Sequence, residues 1–237
     1  YSMTFGVSVI TVVLPAWYLS MPQEKRKSRS TRARLAFEIG ITKLALGFGF
    51  EDMQFAWAGE ESANICGKRI TQIAKEWKTS ELDAYIRVVE MSGGKGRVNM
   101  YRYYNDEIIA KLMQHGPSLF MTDAWIEENG IQNASAFGCY PKFLQLSRED
   151  KIIPLEKAVH KMSGAVASRF GIPKRGVLLK GNAADITVFD PAIVASRGDL
   201  PERPEGICDV YINGRHVVKN GLANNLLAGA GKIITRQ

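Results

Sequence analysis

The chain changes character at residue 173, where helical patterning gives way to short β segments separated by turn residues. The β segments cover 176–178, 185–189, 209–212 and 216–218. Asn213-Gly214 lies between the last two segments and is the strongest short hairpin signal that a sequence can carry. We therefore predict a small β unit at 173–237, appended to a body formed by residues 1–172.

The first half of this body is charged and mainly helical. Within residues 21–95, apolar side chains recur at helical spacing over 65–77 and again over 82–91. Ser92-Gly93-Gly94 then interrupts the pattern. We predict several helices in 21–95, which together form a helical region ahead of the next pattern.

A strand–helix–strand pattern follows between residues 97 and 123. Residues 97–101 predict a strand, residues 106–112 a helix, and residues 118–122 a buried strand that ends at Asp123. Strands separated by a helix of about ten residues favour a parallel pair. The expected class is therefore α/β, with Asp123 just past the end of a parallel strand.

The cysteines restrict both the fold and the compartment. Cys66, Cys139 and Cys208 are odd in number and widely spaced, without a C-x-x-C pair. This pattern argues against a disulfide scaffold or a zinc ribbon and favours a reducing compartment. We expect a cytoplasmic protein.

Much of the net charge of +7 comes from the basic run at 25–34. No aromatic side chains interleave with it, and no nucleic-acid-binding motif accompanies it. We interpret it as a surface turn that leads into a helix and expect no nucleic-acid partner, although a basic nucleic-acid-binding module is the alternative.

Residues 5–19 are apolar, but they are short for a membrane helix, which needs about 20 residues. Pro15 also interrupts them, and the β-branched run from Val7 to Val13 favours buried extended chain. We expect no membrane partner.

Two strings near the C-terminus resemble the closing β-sandwich segment of the amidohydrolase superfamily. There, G-x-x-A-D followed by four apolar residues and an aspartate precedes V-x-V-N-G-x-x-V. The matching residues are Gly181-Asn182-Ala183-Ala184-Asp185-Ile186-Thr187-Val188-Phe189-Asp190 and the stretch from Asp209 to Val218. We expect Asp185 to be a turn residue that accepts hydrogen bonds from nearby backbone, not a catalytic group.

Upstream motifs narrow the resemblance to the N-acyl-D-amino-acid deacylases. Residues 1–8 and Leu14-Pro15-Ala16-Trp17 resemble the Y-P-Y-T-A-G-S-T and L-P-P-W stretches of that family. Met121-Thr122-Asp123-Ala124 resembles its (S/T)-D-(G/A) strand end, and residues 138–144 resemble G-(T/A)-F-P-(R/K)-x-L. The resemblance covers residues 1 to about 234.

The resemblance implies a fold and an activity. The fold is the last part of a metal-dependent-hydrolase (β/α)8 TIM barrel, with a helical insert at about 21–95 and a small C-terminal β-sandwich. The activity is hydrolysis of the amide C–N bond of N-acyl-D-amino acids, a small-molecule substrate, with zinc as the cofactor. The alternative within enzymes is a cyclic-amide hydrolase similar to dihydroorotase or hydantoinase.

It also implies site residues. Asp123 matches the last-strand aspartate that faces the metal and activates water as the general base. Tyr1, Ser8, Gln132 and Asn133 fall at substrate-contact positions. Departures accompany these matches, since Met3 replaces an aromatic hydroxyl, Val7 replaces a serine and Ser135 replaces an arginine able to bind a carboxylate.

Ligands for a zinc site are scarce in this sequence. The histidines His115, His160 and His216 fall at a helix end, inside a helix and in the β unit, and not at predicted strand ends. A complete barrel alone takes about 250 residues. We therefore expect the C-terminal portion of a longer deacylase, which alone holds no zinc and is inactive. A non-catalytic remnant that needs a partner chain is the other possibility.

Overall fold

The computed structural model describes residues 6–47, 49–101, 105–124, 126–198, 200–224 and 229–234. Internal contacts divide the chain into two compact units. The first unit comprises residues 5–103 and 125–133, and the second comprises 104–124 and 134–237 together with 1–4. Each unit is described by itself below.

The first unit is a three-stranded antiparallel sheet with helices packed on it. Its strands are β1 (Gly6–Val9), β2 (Met53–Trp57) and β3 (Arg97–Met100). Its helices are α1 (Ala16–Leu19), α2 (Gln23–Arg26), α3 (Arg29–Leu46), α4 (Ile70–Glu76) and α5 (Glu81–Met91), with short 3-10 helices at Phe50–Asp52 and Glu60–Ile65. β3 is the central strand and pairs antiparallel with both β1 and β2.

Side-chain alternation along β2 and β3 decides which face of this sheet is the core. Phe55 and Val98 are fully buried and belong to one apolar cluster with residues of α4 and α5. Gln54 and Asn99, at the intervening positions, place amides on the opposite face. The sheet therefore has one apolar face and one polar face.

Local caps define the helices that the periodicity predicts. Ser28 accepts a hydrogen bond from the Thr31 N–H at 3.2 Å and begins α3, and Ser80 does the same for α5 through the Asp83 N–H at 3.1 Å. The basic run at 25–34 covers the end of α2, a short turn at 27–28 and the start of α3, and it is mostly exposed. The predicted surface position and the helix after it are confirmed, while the turn itself is limited to two residues.

The second unit combines four helices with a four-stranded antiparallel sheet. Its helices are α6 (Asp106–Gln114), α7 (Ser135–Glu149), α8 (Leu155–Met162) and α9 (Gly164–Phe170). Its strands are β4 (Ile186–Phe189), β5 (Ile207–Ile212), β6 (Arg215–Lys219) and β7 (Leu222–Ala223), paired in that order. Asn213 and Gly214 join β5 to β6 with φ angles of 49° and 77°, which confirms the predicted hairpin.

The predicted parallel strand pair at 97–123 is wrong. β3 is antiparallel to both of its neighbours, and residues 118–122 form no strand. The physical reason is that the Phe120 N–H donates to the carbonyl of Lys161, a helix residue, at 3.3 Å and not to a neighbouring strand. The helix between the two segments, α6, is confirmed.

The strand predicted at 176–178 also needs correction, since these residues form no strand. In the helical part of the second unit, Cys139 lies buried inside α7. α8 and α9 are separated at Ser163, whose φ and ψ are −132° and −86°.

The sheet of the second unit is a single layer in the part of the chain that is described. A β-sandwich needs a second sheet, so the sandwich remains a prediction. The division at 172/173 likewise remains a prediction. None of the helices within the described ranges has the length and apolarity needed to cross a bilayer.

Candidate functional site

Asp123 lies in the second unit on residues 115–123, which we call the Asp123 segment. Its backbone φ is 48°, in the left-handed region that non-glycine residues rarely occupy. Its side chain is exposed, and within the described residues the carboxylate has no hydrogen bond or ion pair. An exposed carboxylate of this kind is open to a ligand or a reacting water.

The residues just before Asp123 are held by the helices of the same unit. The ring of Phe120 stacks on that of Phe143 of α7, with ring centroids 4.0 Å apart. The Cys139 thiol, also on α7, donates to the carbonyl of Met121 at 3.3 Å. The segment is therefore fixed to within two residues of Asp123, although it belongs to no sheet.

Gln132 and Asn133 lie together in the first unit. The Gln132 amide closes the loop at 127–132 by bonding the backbone of Glu127. Its Oε1 accepts from the Glu127 N–H at 2.8 Å, and its Nε2 donates to the Glu127 carbonyl at 3.1 Å. Asn133 is 2% exposed. Both remain predicted substrate contacts, but the Gln132 amide already serves the backbone of its own loop.

Arg97 at the start of β3 holds the same loop. Its guanidinium lies 3.2 Å from the Glu127 carboxylate and donates to the Asn129 carbonyl at 2.6 Å. Partial burial lowers the pKa of Arg97, and Glu127 opposes that change. Arg97 therefore holds the 127–132 loop to the sheet through two residues of the loop, Glu127 and Asn129.

Amides on the polar face of the first sheet form a cluster that sequence reasoning missed. Asn99 Nδ2 donates to Gln54 Oε1 and to the Gln132 carbonyl, both at 3.3 Å, and the Tyr101 hydroxyl donates to Gln54 Oε1 at 3.0 Å. Asn99 is 2% exposed, and its Oδ1 lacks a hydrogen-bond partner in the described structure. The sequence contains one sign of this cluster, which is the position of Asn99 between Val98 and Met100. A polar residue between two buried strand positions must point to the other face of the sheet.

The remaining predicted contacts are only partly visible. Tyr1 lies outside the described residues. Ser8 lies on β1, where its backbone pairs in register with Val98 of β3. Ser8 and Gln132 belong to the first unit and Asp123 to the second, so the structure gives no common geometry for the predicted site.

The histidines do not assemble a metal centre. His115 ends α6, His160 lies within α8 and His216 lies on β6, as the sequence predicts. His216 Nε2 is 2.7 Å from Asp209 Oδ1, and its ring stacks on Tyr211 at 4.4 Å. Across the described ranges no group of three or more His, Cys, Asp or Glu residues could hold a metal ion, so these residues do not fit a zinc site.

The predicted turn role of Asp185 is confirmed. Its Oδ1 accepts from the Asn213 N–H at 2.7 Å, and its Oδ2 accepts from the Arg175 guanidinium. Arg175 also donates to Asn213 Oδ1 at 2.7 Å. This aspartate therefore braces the hairpin between β5 and β6.

The Asp209–His216 pair predicts an acid-dependent stability. The hydrogen bond from His216 holds the pKa of Asp209 below its ordinary value, and the Asn220 N–H adds to this effect. A lowered folded-state pKa stabilises the fold above the unfolded-state pKa of about 3.9, and this stabilisation is lost as pH falls through the folded-state value. We expect the free energy of unfolding to fall less between pH 5 and about pH 2–3 in Asp209→Asn than in the wild type.

Urea unfolding at the two pH values checks this expectation. Asp150→Asn, an exposed aspartate that ends α7, is the matched control and should keep the wild-type dependence. An identical acid dependence in Asp209→Asn and the wild type would contradict the assignment.

Comparison with solved structures identifies the class of protein. The crystal structure of D-aminoacylase, which defines a novel subset of amidohydrolases, matches 73% of this chain and 36% of its own, with a TM-score of 0.63 and 26% identity. The N-acyl-D-glutamate deacylase of Bordetella bronchiseptica, complexed with zinc and a phosphonate mimic of the tetrahedral intermediate, matches 81% and 43%, with a TM-score of 0.63 and 23% identity. The chain has the fold of part of an amidohydrolase of this subset.

Sequence relatives are deacylases of N-acyl-D-amino acids. The D-aminoacylase of Alcaligenes xylosoxydans xylosoxydans is 31% identical over 157 residues, which cover 65% of this chain and 31% of the relative. The N-acyl-D-aspartate deacylase of the same organism is 40% identical over 73 residues, or 30% of this chain and 15% of the relative. No protein-family model matches the chain. The chain is a homologue of the N-acyl-D-amino-acid deacylases, as its motifs predict, and it spans about a third of the length of D-aminoacylase.

Proposed function

We propose that the whole protein carrying this chain hydrolyses the amide C–N bond of N-acyl-D-amino acids. The products are a carboxylate and a free D-amino acid. The observation that carries the proposal is the 31% identity to D-aminoacylase over 157 residues. A second relative, the N-acyl-D-aspartate deacylase, supports the same substrate class.

Asp123 is the residue to which we assign proton transfer. A carboxylate can accept a proton from the attacking water and pass it to the leaving nitrogen, provided that it lies within hydrogen-bond reach of both. The exposed side chain of Asp123 is compatible with that role. Its left-handed backbone supports it further, because strained conformations collect at functional sites.

Zinc is the cofactor of this proposal, as in the related structure that contains it. The described residues do not offer a set of ligands, so no chemical step is assigned to the metal here. We propose that the ligands come mainly from parts of the protein other than the described residues of this chain, with Asp123 facing the metal.

The proposal also covers the fold of the whole protein and its location in the cell. We assign the helices of the second unit to the last part of a TIM barrel and the sheet β4–β7 to one layer of a sandwich. The match to the D-aminoacylase fold supports this assignment. A cytoplasmic location, suggested by the three free cysteines, is part of the same proposal.

The other candidate functions have less support. The relatives are deacylases of N-acyl-D-amino acids, and no observation favours a cyclic-amide hydrolase. A non-catalytic remnant would keep the fold and lose the reaction, so activity separates it from the proposed enzyme.

The test is amine release by the whole protein, purified with zinc. We expect hydrolysis of N-acetyl-D-methionine, N-acetyl-D-aspartate or N-acetyl-D-glutamate, and at least about 100-fold slower hydrolysis of the matching L-enantiomer. The 237-residue chain alone is the control and should be inactive even with added zinc. Ring opening of dihydroorotate or a hydantoin, without deacylation, would instead establish the cyclic-amide alternative.

A further inference from the structure

Lys161 is a buried lysine for which the proposed reaction has no direct use. It lies on α8, is 3% exposed and points its ammonium at the end of α6. Nζ lies 2.6 Å from the His115 carbonyl, 2.8 Å from the Ser118 carbonyl and 2.9 Å from Ser118 Oγ. The Gly116 carbonyl is a fourth oxygen at 3.3 Å. Four oxygen atoms therefore surround one ammonium group.

The donors and acceptors of this cage balance. The three N–H groups of the ammonium match the three nearest oxygens. The Ser118 hydroxyl donates its own proton to the carbonyls of Leu112 and His115 at the end of α6. A cation is also favoured at the C-terminal end of a helix, where carbonyls lack partners within the helix. Burial lowers the pKa of Lys161, and nearby Lys157 lowers it further. The hydrogen bonds to the cage oxygens oppose this effect, because they favour the charged ammonium.

The cage lies at the start of the Asp123 segment. Lys161 grips His115, Gly116 and Ser118 through its side chain, and its own carbonyl accepts from the Phe120 N–H. Its ammonium also lies 5.7 Å from the centre of the Phe120 ring. One residue of α8 thus holds the segment at both ends of a six-residue stretch whose last member is three positions before Asp123.

Sheet hydrogen bonds do not hold the Asp123 segment, because it belongs to no strand. From α7, the Cys139 thiol holds the Met121 carbonyl and the Phe143 ring stacks on Phe120. Beyond Met121, two residues give at most about 7 Å of chain, so the position of Asp123 depends on how firmly the preceding residues are held.

We propose that Lys161 is a positioning residue, whose buried ammonium fixes the 115–123 segment and so places the carboxylate of Asp123. This inference rests on the proposed function for its catalytic consequence. Its structural part, the fixing of the segment, stands independently and is measured separately.

Amide hydrogen exchange in the whole protein measures the structural part. Lys161→Met keeps an unbranched apolar stem but leaves the cage oxygens without their donor. We expect exchange over 115–123 to become at least about tenfold faster, with little change in α7 or in the sheet β4–β7. Lys157→Met, an exposed lysine one turn earlier on the same helix, is the matched control and should exchange like the wild type.

Steady-state kinetics on N-acetyl-D-amino acids measure the catalytic part. We expect Lys161→Met to lower kcat by about 10–100-fold, because a misplaced group costs about that much, while KM stays within about threefold. Zinc content should be unchanged. Lys161→Arg keeps the charge, offers five N–H donors in place of three and should restore part of kcat.

The outcomes separate the two proposals. Unchanged exchange over 115–123 in Lys161→Met would overturn the inference, as would faster exchange spread evenly over the unit or a wild-type kcat despite local opening. A wild-type protein without deacylase activity would overturn the proposed function, while local opening in Lys161→Met would still support the fixing of the segment. If Lys161→Met does not fold, the same measurements on Ser118→Ala, which removes one cage oxygen, decide, and wild-type exchange over 115–123 in that variant would overturn the inference.

Discussion

Asp123→Asn is expected to remove most of the deacylase rate of the whole protein, with kcat falling by about 10²–10⁴-fold. Asparagine keeps the size of the side chain, but it cannot accept the proton of the attacking water. It also tolerates the left-handed φ of 48° about as well as aspartate does, so the backbone should not move. Rates of amine release, together with zinc content and the melting temperature, check this result.

Asp123→Gly separates chemistry from backbone strain. Glycine adopts a positive φ without steric cost, so this variant should be at least as stable as Asp123→Asn while its rate stays equally low. Near-wild-type activity in either variant would mean that Asp123 is a turn residue and that another group transfers the proton.

Gly130→Ala is expected to lower the free energy of unfolding of the first unit by at least about 2 kcal/mol. Gly130 has a φ of 84°, and a Cβ there would lie 2.3 Å from the Ala56 carbonyl oxygen of β2. That carbonyl accepts from the Ile131 N–H at 3.1 Å, so the loop cannot withdraw without losing its attachment to the sheet. Denaturant unfolding of the purified chain measures the effect.

A second glycine in the same unit supplies the matched control. Gly40 lies within α3, has no atom within 4 Å of its prospective Cβ and is exposed. Gly40→Ala should therefore raise stability by about 0.5–1 kcal/mol, because alanine loses less backbone entropy in a helix. Two substitutions of the same kind would then act in opposite directions, and a similar loss in both would contradict the role of loop contact at Gly130.

Helices and the tight hairpin could be predicted from the sequence because their determinants are local. Ser80 and the apolar spacing after it define α5 within a few residues, and Asn213-Gly214 defines a turn whose φ angles ordinary residues avoid. Each of these signals lies inside the element that it specifies.

Strand pairing could not be predicted in the same way. The partner of residues 97–100 was sought among the nearest extended residues, whereas the structure pairs them with β1 and β2. Alternation within one strand tells which face is buried, but it does not name the neighbouring strand. The family motif predicts Asp123 at a strand end, but residues 118–122 form no strand. The antiparallel pairing of β3 follows from contacts between residues that are distant in sequence.

Side chains that hydrogen-bond to backbone atoms could not be predicted from the sequence either. A lysine in an amphipathic helix is expected to be exposed. Lys161 is buried because its ammonium donates to the carbonyls of His115 and Ser118 just after α6. The motif predicts Gln132 as a substrate contact, and it does not show that the same amide closes the 127–132 loop. In both residues the partner is a backbone atom, which carries no sequence signal.

The order of strands in the first sheet has a consequence for synthesis on the ribosome. Among the described strands β1 pairs with β3 alone, and Gly6 pairs with Met100, about 90 residues later in the chain. At translation rates of roughly 5–20 residues per second, β1 would wait on the order of 5–20 s before its partner emerges. During that interval its backbone donors and acceptors are open to other chains. β1 should therefore be a site at which chaperones bind the nascent chain, and the sheet should close late, after α4 and α5 have formed.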